Sequence, residues 1–250
     1  MVGTPGTVAG VTETVADAGP VPAELVAVQA EIKRGDAASA EKLLAAAMPG
    51  LTGAGRAEGL KLRADVAFLR GDLQAALDAY DPAFVAARDE GLLRRASEVA
   101  LTASYLCTAV LYDLAGAKGW LARHAELVPL LPEARLNHGY YAGLVADVAG
   151  DLGAAQRSYE IHVGMARAMG LYSELAEALS ALGVLRGRIG DVVGAERAFG
   201  ELIALDDKIS SSARALALHN AAWVALEARA RGQAASDPEP QLVAAAAIFA

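Results

Sequence analysis

The sequence of 250 residues has very little of several residue types that mark common classes of protein. It contains one cysteine, Cys107, so no intramolecular disulfide can form, and the apolar segment around it predicts a packed side chain. Aromatic residues make up only 5% of the chain, whereas apolar residues make up 54%. Much of that apolar content is alanine, the strongest helix former, so the composition favours closely packed helices.

Positive charge and long apolar runs are also scarce. The net charge of −8 excludes the basic surface that is typical of a nucleic-acid-binding domain. The longest charge-free stretch of the helical part, residues 99–112, is too short to span a bilayer. The first residues lack the basic and apolar segments of a secretory signal. We therefore expect no nucleic-acid partner, no membrane insertion and a cytoplasmic location.

Motifs for chemistry are missing as well. The sequence has no nucleophile elbow and no phosphate-binding loop, and its histidines show no metal-like spacing with a second ligand pair. His124 and His162 occupy the same late position of two helices, which predicts packing or surface roles for both. We expect no catalytic residue, no metal and no cofactor, and hence a chain that is not an enzyme.

What the sequence does contain is a repeated turn. An aspartate recurs at intervals of about 36 to 41 residues, close to the period of helical-repeat arrays. Glycine precedes it in four copies and Tyr112 in the fifth. An alanine follows four residues later and a large residue four residues after that. The aspartates are Asp36, Asp72, Asp113, Asp151 and Asp191, the alanines Ala40, Ala76, Ala117, Ala155 and Ala195, and the large residues Leu44, Tyr80, Leu121, Tyr159 and Phe199. Aspartate suits a helix N-terminus, where its carboxylate caps free amides, so we interpret these residues as structural.

The turn divides the chain into helix pairs, each with a first helix (A) and a second helix (B). Residues 1–20 are predicted to be a disordered leader, and residues 21–250 an array of about six pairs whose last helix is incomplete. The predicted helices cover residues 22–34, 37–48, 56–70, 73–89, 92–112, 114–128, 133–149, 152–169, 172–189, 192–206, 211–231 and 242–250. We expect a loop at residues 51–55, a kink or irregular turn at Pro82 and a polar break at residues 232–240.

The turn and its spacing resemble those of the tetratricopeptide (TPR) family, in a variety with a repeat of about 40 residues. The helix A position that is small in this family is Gly143 in one pair and Gly183 in another. The resemblance implies an all-α solenoid of stacked antiparallel helix pairs whose A helices line a binding groove. The groove positions that it implies are Lys61, Asp65, Phe68, Asn137, Tyr140, Tyr141, Leu144, Asp147 and Arg188. The C-terminal part also resembles bacterial TPR arrays that precede a CHAT caspase-like protease domain.

The resemblance implies a protein- or peptide-binding scaffold. We expect the chain to be the regulatory or recruiting segment of a larger bacterial protein. Its partner would be a protein or peptide, with a C-terminal effector domain of the same polypeptide as one option. The alternative is a sensor that binds a small molecule or a peptide pheromone in the groove.

Overall fold

A computed structural model describes residues 21–131 and 133–249, and within those ranges the chain has no β-strand. Twelve α-helices cover most of this described part, and neighbouring helices pack in succession. The predicted all-α solenoid of helix pairs is therefore confirmed. The predicted leader, residues 1–20, lies outside the described residues. In the described part, no helix is both long and apolar enough to cross a membrane.

The odd-numbered helices are the A helices and the even-numbered ones the B helices. The bounds are α1 Ala23–Arg34, α2 Ala37–Ala47, α3 Gly53–Leu69, α4 Leu73–Asp89, α5 Leu93–Tyr105, α6 Leu114–Leu127, α7 Ala134–Val148, α8 Leu152–Met169, α9 Tyr172–Arg188, α10 Val192–Ile203, α11 Ser211–Ala230 and α12 Glu239–Phe249. The chain divides into two compact units, a first unit that ends at Tyr141 and a second that begins at Ala142, within α7.

α4 continues through Pro82 without a break, so the irregular turn predicted there is absent, whereas the kink predicted as the other option stays a prediction. The helix packs against α3 and α5, and its buried face around Pro82 includes Ala79, Ala83 and Phe84. Packing of this kind provides most of the stability of a helix in a folded protein, so it can outweigh the loss of one backbone hydrogen bond.

The single helix predicted over residues 92–112 is wrong in its last part. α5 ends at Tyr105, and a π-helical turn, Leu106–Val110, follows it. Within this turn the Thr108 hydroxyl donates to the Ser104 carbonyl over 2.6 Å. A hydroxyl bound to the carbonyl four residues earlier competes with the regular helical ladder, which explains the change of helix type.

Three other helix ends differ from the prediction. The loop at residues 51–55 is shorter than expected, because α3 begins at Gly53 while Leu51 is buried in the core. α10 ends at Ile203, and the backbone at Asp206 has a φ of 43° in a short 3₁₀ turn. α12 begins at Glu239, before the predicted start at residue 242, since proline is tolerated in a first helical turn and Pro240 lies there.

Each of the five recurring aspartates caps a B helix. The Oδ1 atom accepts a hydrogen bond from the backbone N–H three residues later, at distances from 2.9 to 3.1 Å. The glycines before four of these aspartates end the A helices with a left-handed backbone, at φ values from 77° to 86°. The structural interpretation of the Gly-Asp turn is therefore confirmed.

The fifth turn has to adopt the same backbone without glycine. Tyr112 has a φ of 55°, in the region that disfavours side chains with a Cβ, and its side chain is exposed. A residue of this kind costs about 1–2 kcal/mol relative to a right-handed conformation. Tyr112 is thus a point of backbone strain in the first unit.

We predict that Tyr112→Gly raises the free energy of unfolding by about 1 kcal/mol, because glycine removes the strain while little packing is lost. Chemical denaturation monitored by circular dichroism measures this change. Tyr112→Ala is the matched control, since alanine keeps the Cβ and should give no gain. Equal stability of the glycine and alanine variants would contradict the prediction.

Helices A and B approach closely where a glycine faces an aromatic ring. A Cβ placed on Gly143 would lie 2.7 Å from the Tyr159 ring, and one on Gly183 would lie 2.7 Å from the Phe199 ring. Both distances are too short for a real contact. The two rings are almost fully buried, and so are the five recurring alanines, which confirms the close packing predicted at these positions.

We predict that Gly183→Ala destabilises the second unit by about 1–3 kcal/mol, because the added methyl group must displace the Phe199 ring. The measurement is the midpoint of chemical denaturation. Gly200→Ala, on the exposed side of α10, meets no atom within 4 Å and should stabilise the same unit by about 0.5–1 kcal/mol. Similar changes in stability for Gly183→Ala and Gly200→Ala would show that a methyl group at position 183 fits beside the Phe199 ring.

Candidate binding surface

Five charged side chains of α3 and α5 form one connected set in the first unit, which we call the charge network. Its members are Glu58, Lys61, Asp65, Arg95 and Glu98. The three members on α3 are spaced by three and four residues, so they share one face of the helix. The two members on α5 are three residues apart and face them. Helical periodicity puts each set on one face of its helix, and the tertiary structure brings the two faces together.

Ion pairs connect every member of the charge network. Lys61 Nζ lies 2.8 Å from an Asp65 oxygen and 3.1 Å from a Glu98 oxygen. Arg95 lies 2.7 Å from Glu58 and also pairs with Glu98. Two cations thus bridge three carboxylates, and the network as a whole carries one negative charge.

Two neutral side chains extend the charge network to other helices. The Gln29 amide of α1 donates to Glu58 over 3.0 Å, and the Tyr80 hydroxyl of α4 donates to Asp65 over 3.1 Å. Glu58 is only 8% exposed, whereas the other four charged side chains are 17–20% exposed. Hydrogen bonds from α1 and α4 therefore hold the network in place, and four of its five charged side chains are partly exposed to solvent.

The surroundings of the charge network favour the charged forms of Glu98 and Lys61. Burial would raise the pKa of the Glu98 carboxyl, but Lys61 and Arg95 outweigh burial and hold this pKa below its usual range. Burial opposes the charged form of Lys61, yet Asp65 and Glu98 raise its pKa above the usual value. Burial and the nearby carboxylates also raise the pKa of Tyr80, which stays a neutral donor.

The structure brings six of the nine residues predicted for the groove together in three pairs. Lys61 and Asp65 belong to the charge network, while Phe68 is half-buried and packs against the core of the first unit. Tyr140 and Tyr141 meet edge to face, with 5.6 Å between ring centroids.

The other predicted residues lie on α7 and α9. Asn137 belongs to the first unit, and its side chain is half-buried. In the second unit, Arg188 of α9 lies 2.5 Å from Asp147 of α7, and Leu144 is half-buried. No observation tests whether these residues contact a partner, so their assignment to a binding groove stays a prediction.

Four residues of this surface were not predicted: Gln29, Glu58, Arg95 and Glu98. The groove positions that the TPR resemblance implies begin on α3 at Lys61, after Glu58, and include no residue of α5. A search for charged residues spaced by three or four along each A helix would have found Glu58 and the pair on α5.

A second polar group lies inside the first unit. The Ser97 hydroxyl and His124 Nε2 are 2.7 Å apart, and His124 Nδ1 is 3.1 Å from His138 Nδ1. The two imidazole rings are stacked, with 5.3 Å between centroids. Burial, with a smaller contribution from His138, lowers the pKa of His124 to about 4. His124 and His162 are both buried, so of the packing and surface roles that the sequence allowed, the structure shows packing. Among the described residues, no three His, Cys, Asp or Glu side chains could hold a metal ion.

We predict that His124 makes the protein less stable in weak acid. Its folded-state pKa of about 4 lies below the unfolded value of about 6.5, so its contribution is complete above pH 6.5 and is lost as the pH falls toward 4. The loss amounts to roughly 3 kcal/mol, at about 1.4 kcal/mol for each pKa unit. Denaturation curves of the wild type and His124→Gln at several pH values should converge toward pH 4.

The control for this prediction is Lys118→Gln, which changes an exposed residue of α6, the helix that carries His124. Its free energy of unfolding should follow that of the wild type at every pH. A constant difference between the wild type and His124→Gln from pH 7 to pH 4 would show that His124 is not the group responsible.

The fold and this surface define the chain as an all-α helical-repeat protein. No family model matches the sequence, and no curated protein matches it either. Among solved structures, the chain is similar to BtubC (BKLC) from P. vanneervenii, with a TM-score of 0.65 over 90% of this chain and 89% of that chain. The sequence identity is 14%, so the similarity shows a shared fold.

Proposed function

We propose that the chain is a scaffold that binds a protein or peptide partner through the A-helix surface of its first unit. The observation that carries this proposal is the charge network. It holds five charged side chains in fixed positions by ion pairs, and four of them are 17–20% exposed. Positioned carboxylates and cations are the groups that pair with a peptide backbone and with charged side chains.

A contribution to stability does not by itself explain why the charge network is present. Removing charges from water is costly, and apolar residues of similar volume often stabilise a protein more than a partly buried set of ion pairs. The first unit already has an extensive apolar core, formed by α3, α4 and α5. The charges are therefore better explained by a role in recognition than by a need of the fold.

The sign of the charges favours a basic partner. Three carboxylates exceed two cations in the network, and the whole chain has a net charge of −8. Both attract a segment that carries lysine or arginine, and they raise its rate of encounter. We therefore infer that the partner presents a basic segment to α3 and α5.

The proposal also concerns the role of the chain within a larger protein. The resemblance to TPR arrays supports a regulatory or recruiting segment of a larger bacterial protein in the cytoplasm, one that binds its partner without catalysing a reaction. An effector domain of the same polypeptide is one partner that is consistent with this regulatory or recruiting role.

We predict that peptides selected from a random display library on this chain are enriched in lysine and arginine. Glu58→Gln/Glu98→Gln should weaken their binding by about tenfold or more, which corresponds to about 1.4 kcal/mol, because the amides keep the shape but not the charge. Fluorescence anisotropy with a selected, labelled peptide gives the affinity. A rise in salt should weaken binding to the wild type more than to the variant.

Glu160→Gln/Glu201→Gln is the matched control, since it removes two carboxylates that pair with arginines in the second unit. The net charge changes equally in the two variants, so general electrostatic attraction is held constant. Equal losses in the two variants, or selected peptides without basic residues, would refute the proposed surface.

A further inference from the structure

A cavity of about 420 Å³ lies between the B helices α4 and α6 of the first unit. On the α4 side it is lined by Leu77, Asp78 and Asp81. Ligand pockets in proteins measure about 300–1,000 Å³, so the cavity is large enough for a small molecule or a single side chain. The charge network lies on the A helices α3 and α5, and the cavity is therefore a separate feature of the same unit.

The α6 side of the cavity has room because two of its residues are glycines. This side is lined by Gly116, Gly119, Trp120 and Arg123, whose spacing places them on one face of the helix. A Cβ added to Gly119 would meet no atom within 4 Å, so the space beside this residue is empty. The Trp120 ring is held by an edge-to-face contact with the Phe84 ring, with 6.1 Å between centroids. An empty space bordered by a fixed aromatic ring thus faces the two aspartates of α4.

Each of these aspartates keeps one carboxylate oxygen available. Asp78 Oδ1 accepts a hydrogen bond from the Gln74 amide over 2.9 Å, and Asp81 Oδ1 accepts one from Arg123 over 2.5 Å. No described residue donates a hydrogen bond to the Oδ2 atom of either aspartate. Because an ionised carboxylate can accept several hydrogen bonds, both side chains retain acceptor capacity beside the cavity.

The charges around the cavity do not cancel. Among the described residues that line it, only Arg123 carries a positive charge, against two aspartates. Arg123 is already engaged, since it pairs with Asp81 and lies over the Trp120 ring at 4.5 Å from the centroid. The cavity therefore keeps one negative charge, and the net charge of −8 on the whole chain adds to its attraction for cations. A ligand with a single positive charge would neutralise it.

We propose that this cavity binds a primary ammonium group on an aliphatic stem, the chemistry of a lysine side chain or of a free alkylamine. Asp78 and Asp81 are three residues apart on one helix, so their side chains are neighbours and one ammonium group can reach both. An ammonium group has three N–H donors on a compact charge, which suits two single oxygens. A guanidinium pairs best with both oxygens of one carboxylate, and each aspartate has one available.

The stem of the ligand is matched by the apolar part of the cavity. Leu77 and Trp120 are half-buried, and both line the space between the helices. Aliphatic carbons that lie against them leave water, while the charged end remains at the aspartates. The side chains of Asp81 and Arg123 are 53% and 41% exposed, and ion pairs in such surroundings are weak. We therefore expect isolated amines to bind in the millimolar range.

Titration of the nitrogen-labelled full chain, followed by two-dimensional NMR, tests this proposal. The chain has two tryptophans, Trp120 beside the cavity and Trp223 in the second unit, and Trp223→Phe assigns their indole N–H signals. Lysine with both backbone ends capped, and n-butylamine, should each shift the Trp120 signal saturably at constant ionic strength. The Trp223 signal should not move. The tighter of the two probes indicates whether a side chain or a free amine is the preferred source.

A matched ligand and three variants separate charge from space. Capped norleucine, which lacks the ammonium group, should give no saturable shift. Asp78→Asn should weaken binding of capped lysine by about fivefold, and Glu126→Gln, at an exposed carboxylate of α6 outside the cavity, should leave it unchanged. Gly119→Leu should abolish binding, because its side chain fills the space while both carboxylates remain. Circular dichroism checks that the variants are folded.

Three results would overturn the proposed ammonium site. The first is a Trp120 signal that does not shift saturably with either amine. The second is an equal response to capped norleucine, which would show that the charge is not recognised. The third is an unchanged affinity of a folded Asp78→Asn or Gly119→Leu variant, which would place the bound amine elsewhere. None of these results depends on peptide binding at α3 and α5, because the probes are small molecules.

Discussion

The close approach of an A helix to its B helix depends on residues that have almost no side chain. At Gly183 no Cβ could be accommodated beside the Phe199 ring, and at Gly143 the Tyr159 ring lies equally near. Dispersion forces fall steeply with distance, so a ring seated directly on the backbone makes more contacts than one held away by a methyl group. The recurring alanines and the short capped turns follow from the same need, since both keep the two helices close and in register.

This arrangement leaves the polar residues of the A helices free for other roles. Because the B-helix alanines and rings supply the contact within a pair, the solvent side of α3 and α5 can carry Glu58, Lys61, Asp65, Arg95 and Glu98. Their ion pairs hold the side chains in place before any ligand arrives, and a surface that is ordered in advance loses less entropy on binding. Different residues thus stabilise the fold and carry the recognition that we propose.

The two units carry different surfaces. The first unit has a charged surface on α3 and α5, whereas in the second unit α11 exposes the apolar side chains of Leu216, Trp223 and Leu226.

The sequence by itself determined the fold class and most of the helix bounds. The Gly-Asp turns and the following alanines are local signals, because a cap needs only residues three apart in the chain, as between Asp191 and the Gly194 amide. Local signals failed where tertiary packing outweighed propensity, as at Pro82, or where a side chain disturbed the helical ladder, as at Thr108.

Only the tertiary structure decided which charged residues meet and which apolar residues stay exposed. Arg95 pairs with Glu58, and Ser97 approaches His124, although each partner is far away in sequence and on another helix. The exposure of Trp223 depends in the same way on which faces of α11 its neighbours cover. Contacts between helices depend on the rotation and spacing of whole elements, which no short stretch of sequence encodes.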